Sequence, residues 1–459
     1  MTIKKFPRRL LTGVIIAFAW LITGRANLAL SANFKREISA LAADHQYGNS
    51  LFDGLIKELS NSPHRYFVYD NPIMTVPDIR EKAGRGNFTW RHKWGARYKM
   101  YAHWELEYLK ALEEHPLRTH DANKADFIVI PIPVNAISVA GNPSEDMRHA
   151  LDTLYNETLF QRHPEKHVLF SFLEYVFDPR WESGAQSISG ISPSDYQQLR
   201  PITAAMFQDH HSWLLQVPDN VKEVAGWGQM AKGKPLTTRG FSISLMGSAM
   251  DFFDRHDSPS PLTLRQFQNK TYHFFYHTRA APSLNNSTKF RHALVKENET
   301  ALQLPQPSSV GFDIPLHDWR RAFYDSKFCP CIRGDNPQTR CLWRSIRAGC
   351  IPLVISNMWP RYAPIFKSFL NMTNYAVLVD ENQFLHNPVA TLVQATNMTT
   401  AELQAKIEGL NLVRRMILPH LPSSLFVEAF ARETVASQKD DYYPYLYASQ
   451  RDRIILVGE

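Results

Sequence analysis

The chain has 459 residues, 44% of them hydrophobic and 12% aromatic, which suits two domains with sizeable cores and excludes an intrinsically disordered chain. Its formal charge of +7 fits a nucleic acid, a membrane surface or an anionic substrate.

The N-terminus narrows that choice. Lys4, Lys5, Arg8 and Arg9 precede 10–24, fifteen residues without a charge, and Arg25 interrupts before a second small apolar stretch at 26–32. Basic residues ahead of an apolar segment keep the N-terminus cytoplasmic and send the rest of the chain across. The segment is short for a full span, and Ala29-Leu30-Ser31 offers small residues at a cleavage point, so a signal peptide and a secreted product form one reading. A type II anchor over 1–32 is preferred, because Arg25 can snorkel to the interface and secretory-pathway membranes are thin. Both readings place the bulk of the chain in the lumen and argue against a nucleic-acid partner. Asn-X-Ser/Thr acceptors at Asn87, Asn156, Asn269, Asn285, Asn286, Asn298, Asn371 and Asn397 agree with a lumenal address, although Asn285 and Asn286 can hardly both carry glycan.

Residues 33–60 read as a polar stem. The stretch RYFVYDNP at 65–72 predicts a strand closed by an Asp-Asn-Pro turn. A helix is predicted over 98–114, with Tyr101, Trp104, Tyr108 and Leu112 on one face. Strand 127–131 follows, then a helix capped by Ser144 with Met147, Leu151 and Leu154 inward, then strand 167–172. Strand, helix, strand in this span is a βαβ unit, so the strands are parallel and the crevice beyond their ends is where a ligand belongs. Residues 179–265 give no firm element. YHFFYHT at 272–278 predicts the next strand, with helices near 291–294 and over 317–326.

The densest signal is FCPCIRGDNPQTRCLWRSIRAGCIPLVIS at 328–356. It reads as strand 328–332, a turn at Arg333-Gly334-Asp335, a helix over 337–348, and a β-branched strand at 351–355. Asp335 or Asn336 can cap that helix with Pro337 at its first position, and Gly349 supplies the left-handed stop. Such a helix start binds phosphate well, and Arg333, Arg340 and the Thr339 hydroxyl can grip a diphosphate there. Against this stands the reading in which Arg340, Arg344 and Arg347 line a wet face. All four cysteines lie in the same stretch. No metal-ligand spacing is present among them, and one or two disulfides suit an oxidising compartment. Cys329 and Cys350 would start adjacent strands and are the preferred bridge. Late in the chain, Thr399 and Glu402 form a capping box ahead of Leu403, Ile407 and Leu410.

The stretch resembles the signature of the exostosin-like glycosyltransferases, family 47, in Phe328, Cys329, Cys331, Arg333, Gly334, Asp335, Pro337, Thr339-Arg340, Leu342, Ile346 and Gly349-Cys350-Ile351-Pro352. The opening at 65–72 and the Arg118-Thr119 to Pro131 block are similar to the family's first half. The resemblance implies a GT-B fold, two Rossmann-like domains facing a cleft: an acceptor domain over 61–265, a nucleotide-sugar domain over 266–420, and a tail over 421–459. It also implies an inverting transfer from a UDP-sugar to a polysaccharide or glycoprotein glycan in the Golgi, with no cofactor. No two aspartates are separated by a single residue, so no DxD pair exists to hold a metal on the diphosphate.

Three departures from the family pattern stand out. His277, Thr278 and Arg279 replace a glycine after the aromatic strand, and Arg279 joins the candidate donor site. Lys166-His167 and Leu173-Glu174 replace the family's paired Asp and His, leaving Glu174 as the candidate base, with His210 and His211 as rivals. Arg344 stands where the family carries an acid one turn after the helix arginine. That reversal implies either a different donor, such as one with an acidic sugar, or a non-catalytic lumenal subunit that binds glycan or assembles as a homo- or hetero-oligomer with an active transferase.

Overall fold

The computed structural model describes residues 51–86, 95–171, 190–207, 239–243, 260–278, 286–300, 304–333, 339–357, 359, 364–439 and 442. The chain divides into two units, Met1–Asp53 and Gly54–Glu459, and everything below concerns the second. The apolar segment at 10–24 lies outside the described residues, and no described helix is long and apolar enough to cross a membrane.

Two five-stranded parallel sheets organise the second unit. The first contains β1 (Tyr66–Val68), β2 (Phe127–Ile130), β3 (His167–Ser171), β4 (Thr203–Phe207) and β5 (Arg239–Ile243), side by side in sequence order. The second contains β6 (Tyr272–Thr278), β7 (Ser309–Phe312), β8 (Ser326–Ile332), β9 (Ile351–Ile355) and β10 (Val377–Val379), in the order β10-β9-β8-β6-β7. Strand order therefore reverses between β6 and β8 in the second sheet. Among the described strands the first sheet has no such reversal.

Side chains of the second sheet alternate between its two faces, as a pleat requires. Phe274, Phe328, Ile351 and Leu353 join Phe290, Leu294 and Phe384 in one core. Phe275, Cys329 and Cys350 join Ala322, Phe323 and Ala348 in another. Helices thus cover both faces.

Between β1 and β2 lies α1 (Gly95–Glu114), whose Tyr101, Trp104, Tyr108 and Leu112 are all buried. After β2 comes α2 (Val134–Ala140). Glu105 of α1 is fully buried and accepts from the backbone N–H groups of Asn135 and Ala136 and from Asn135 Nδ2, at 2.7–3.1 Å. Burial pushes this carboxyl up to about 8 against the pull of those donors. The helix expected from Ser144 is Pro143–Asn156, capped by Asn142, because Pro143 takes the first helical position where its missing N–H costs nothing.

Beyond β8, α3 (Cys341–Ala348) runs back toward β9 and ends at Gly349, φ +66°. The capping box appears at Thr399 and Glu402, opening α4 (Thr400–Ile417). The tail expected over 421–459 instead holds α5 (Phe426–Ser437), which returns to the first sheet. There Phe430 stacks on Phe170 at 4.8 Å and meets Phe127 and Phe241, while Phe426 lies 4.4 Å from Tyr108. The expected stem is also structured at its end. Helix Asp53–Ser60 buries Leu59, and Glu58 pairs with Arg432 of α5 at 2.9 Å.

Candidate functional site

An open parallel sheet binds ligands beyond the carboxyl ends of its strands, where strand order reverses. Here that place lies between β6 and β8. Their pairing runs from Tyr272–Ser326 to Phe274–Phe328. Two residues later stands Pro330, which has no N–H to give a ladder. β6 continues to Thr278 beside β7, and β8 continues to Ile332 beside β9. The carboxyl ends of the two strands thus lead into the loops that begin at Arg279 and Arg333.

Arg279, Gly334 and Asp335 of the expected donor site lie outside the described residues, as do Glu174, His210 and His211. The structure describes Arg333, Thr339, Arg340 and Arg344. Arg333 follows β8 directly, its N–H donating to Ile355 O at 3.2 Å. Its Nε pairs with Glu381 Oε2 at 2.9 Å, and its guanidinium lies 4.7 Å from the centre of the Phe290 ring. Glu381 also accepts from the Asn357 backbone at 2.9 Å and donates its own N–H to Asn357 Oδ1 at 3.0 Å. Sequence reasoning missed Glu381 and Asn357, which carry no motif: Glu381 opens the helix Glu381–His386 after β10, and Asn357 lies in the bend after β9.

The helix expected over 337–348 begins at Cys341, with Arg340 at the cap position and Thr339 just ahead of it. For Thr339, Oγ1 accepts from Cys341 N and the carbonyl from Leu342 N, each at 3.3 Å. Arg340 is the residue just before the first turn, with helical φ and ψ. Its Nη2 donates to Tyr101 Oη at 2.8 Å.

The arginine stripe on α3 is not a wet face. Arg344 lies 5.3 Å from the centre of the Trp319 ring and Arg347 lies 5.7 Å from that of Trp104, close enough for cation–π attraction. Arg347 is 3% exposed. Tyr101 and Trp104, three apart on α1, therefore meet Arg340 and Arg347 on α3, and the two halves touch through rings and guanidinium groups.

The Cys329 and Cys350 sulfurs are joined in a disulfide, Cα atoms 5.9 Å apart. His167, in the region compared with the family's paired Asp and His, is fully buried. Its Nε2 is 2.8 Å from Tyr69 Oη and its Nδ1 2.8 Å from the His163 carbonyl, so Nδ1 carries the proton and Nε2 accepts. Burial lowers it to about 4, a neutral structural histidine. Among the acceptors, Asn156, Asn269, Asn371 and Asn397 are exposed. Asn298 is half-buried and its Oδ1 accepts from Leu304 N at 3.0 Å. Asn87 and Asn285 lie outside the described residues, and for Asn286 only its place at the start of helix Asn286–Thr300 is described.

Two parallel α/β sheets, the second reversing its strand order beside an arginine-bearing helix start, define a GT-B-like class of fold. Residues 259–396 match the Exostosin GT47 domain, a glycosyltransferase family, which supports an exostosin-like assignment for that segment. That match contains β6 to β10 and α3; the first sheet lies outside it. No curated protein matches the chain.

Proposed function

We propose that the protein is an inverting, metal-independent transferase that moves a sugar from a UDP-sugar to a polysaccharide or glycoprotein glycan in the Golgi lumen, held there by a type II anchor. The observation that carries this reading is the reversal of strand order between β6 and β8, with Arg333, Thr339 and Arg340 following β8 inside the family-matched segment. A diphosphate at that point would be neutralised by guanidinium groups and by the N–H groups opening α3, which removes the need for a divalent ion. The glycan acceptor then belongs to the first half, with Glu174 beyond β3 as base.

A second reading has an observation of its own. Arg333 is engaged by Glu381, Arg340 by Tyr101 and Arg344 by Trp319, so each of these side chains already has a protein partner. That suits a non-catalytic lumenal subunit that binds glycan or assembles with an active transferase. A panel of UDP-sugars incubated with the full-length protein separates the two. Transfer or hydrolysis of one donor supports the enzyme, whereas glycan binding without UDP binding supports the subunit.

A further inference from the structure

Two cysteines remain as thiols, Cys331 and Cys341. Cys331 follows Cys329 by two residues in β8, so both sulfurs leave the same face of the strand. α3 lies on that face, where Ala348 and Cys341 pack against the core containing Cys329 and Cys350. The existing disulfide ties the C-terminal end of α3 to β8. Cys341 is the first residue of that helix, at the opposite end.

The two thiols meet there. The Cys331 sulfur lies 3.4 Å from the Cys329 carbonyl of its own strand. Both sulfurs lie against Ser345 Oγ, Cys331 at 3.4 Å and Cys341 at 3.7 Å, and the Cys341 sulfur is 3.5 Å from the Pro330 carbonyl of the strand. Ser345 gives its own proton to the Cys341 carbonyl at 2.7 Å, which leaves its oxygen as an acceptor facing the pair. Cys331 is fully buried and Cys341 half-buried, so a reagent reaches Cys341 first. Hydrogen bonding with the Cys331 side chain, with Arg344 nearby, holds the Cys341 thiol below its ordinary value, while burial holds Cys331 above it.

We propose that Cys331 and Cys341 form a second disulfide, which staples the N-terminal end of α3 to β8. The oxidant is a small disulfide of the glutathione type. The Cys341 thiolate attacks it, one glutathione leaves as thiol, and Cys331 then displaces the second from the mixed disulfide. Two protein thiols become one disulfide, and the oxidant takes up their two protons and two electrons as two thiols. With both ends of α3 tied, Arg340 at its N-terminal end and Arg333 after β8 are held in one relative position in advance of any ligand; the importance of this for the donor rests on the diphosphate reading above.

The test uses the full-length protein, incubated with reduced or with oxidised glutathione, quenched in acid, then unfolded and alkylated for peptide mapping. Alkylation at Cys331 and Cys341 should fall from both to neither, with a new cross-linked peptide joining them. Cys331→Ala should instead trap glutathione on Cys341. Both thiols still alkylated after oxidised glutathione, or a bridge from either to Cys329 or Cys350, would overturn the proposal; wild-type mapping decides this even where a variant fails to fold. UDP titration of the two wild-type forms isolates the consequence, with about threefold tighter binding expected once the helix start is tied to β8 in advance. Equal affinity in a cross-linked protein establishes the bridge and overturns the donor reading of the helix start.

Discussion

Arg340 at the start of α3 donates to the hydroxyl of Tyr101 on α1, a residue 239 positions earlier. A guanidinium held this way is aimed before any ligand arrives. Arg340→Ala should weaken UDP binding by about 1.5–3 kcal/mol, the worth of a hydrogen bond to a charged group. Lys should restore only part of it, since it keeps charge but not the fork. Tyr101→Phe keeps the arginine and removes its tether, so its loss should be smaller, about 0.5–1.5 kcal/mol. Arg347 cannot serve as a control, being buried against Trp104; exposed Arg265 can. Calorimetric titration with UDP measures all four, and equal losses at Arg340 and Arg265 would move the donor site elsewhere.

The histidine at the start of β3 makes the fold sensitive to acid. Its folded value of about 4 lies below the ordinary 6.5, so between these the unfolded chain binds a proton that the folded chain refuses. Stability is therefore lost as pH falls from 6.5 toward 4, by about 3 kcal/mol in total at 1.36 kcal/mol per unit. Urea midpoints for wild type and His167→Gln across that window check it. Parallel slopes would assign the acid sensitivity to other groups.

Glu105 acts in the opposite direction. Its folded value of about 8 exceeds the ordinary 4.5, so the unfolded chain releases a proton first. Its contribution is complete below 4.5 and is lost as pH rises through 8, at roughly 1.4 kcal/mol per unit. Glu105→Gln should flatten the stability profile between pH 5 and 8, read by the same denaturant titration; an unchanged slope would show that the carboxylate is ionised in place.

Gly409 tests packing between α4 and the chain before β10. A Cβ there would sit 2.2 Å from the Asn374 carbonyl oxygen, closer than any real contact. Gly409→Ala should destabilise by about 1–3 kcal/mol through overpacking, although alanine favours helix. A raised urea midpoint would mean that the 372–374 turn yields without cost.

A metal-free donor site predicts that saturating chelator leaves UDP binding within about a factor of two. Loss that magnesium or manganese restores would require a carboxylate set that the present reading does not use.

Much of the fold was legible wherever pattern and punctuation agreed. The 272–278 strand is rich in aromatic residues and the 351–355 strand is a continuous apolar run, and both residues of the Thr399–Glu402 box read directly. β4 and β5 escaped because TAAMF and RGFSI are short and poor in β-branched residues, and β10 is only three residues long. At the site, the arginine stripe was visible but its meaning was not. Whether Arg347 faces water or Trp104 depends on a ring contributed 243 positions earlier, and no local pattern carries that information. The helix start slipped from 337 to 341 for a related reason: Asp335, Asn336 and Thr339 are all competent caps, and spacing alone does not rank them.

The return of α5 to the first sheet has a consequence for biosynthesis. Phe127, Phe170 and Phe241 leave the ribosome long before Phe426 and Phe430, which complete their core. The second sheet can close while the first still waits with aromatic surface uncovered, so the N-terminal half matures last. During that interval it is the half exposed to chaperones and to aggregation, and a stop codon just ahead of Phe426 would strand it there permanently.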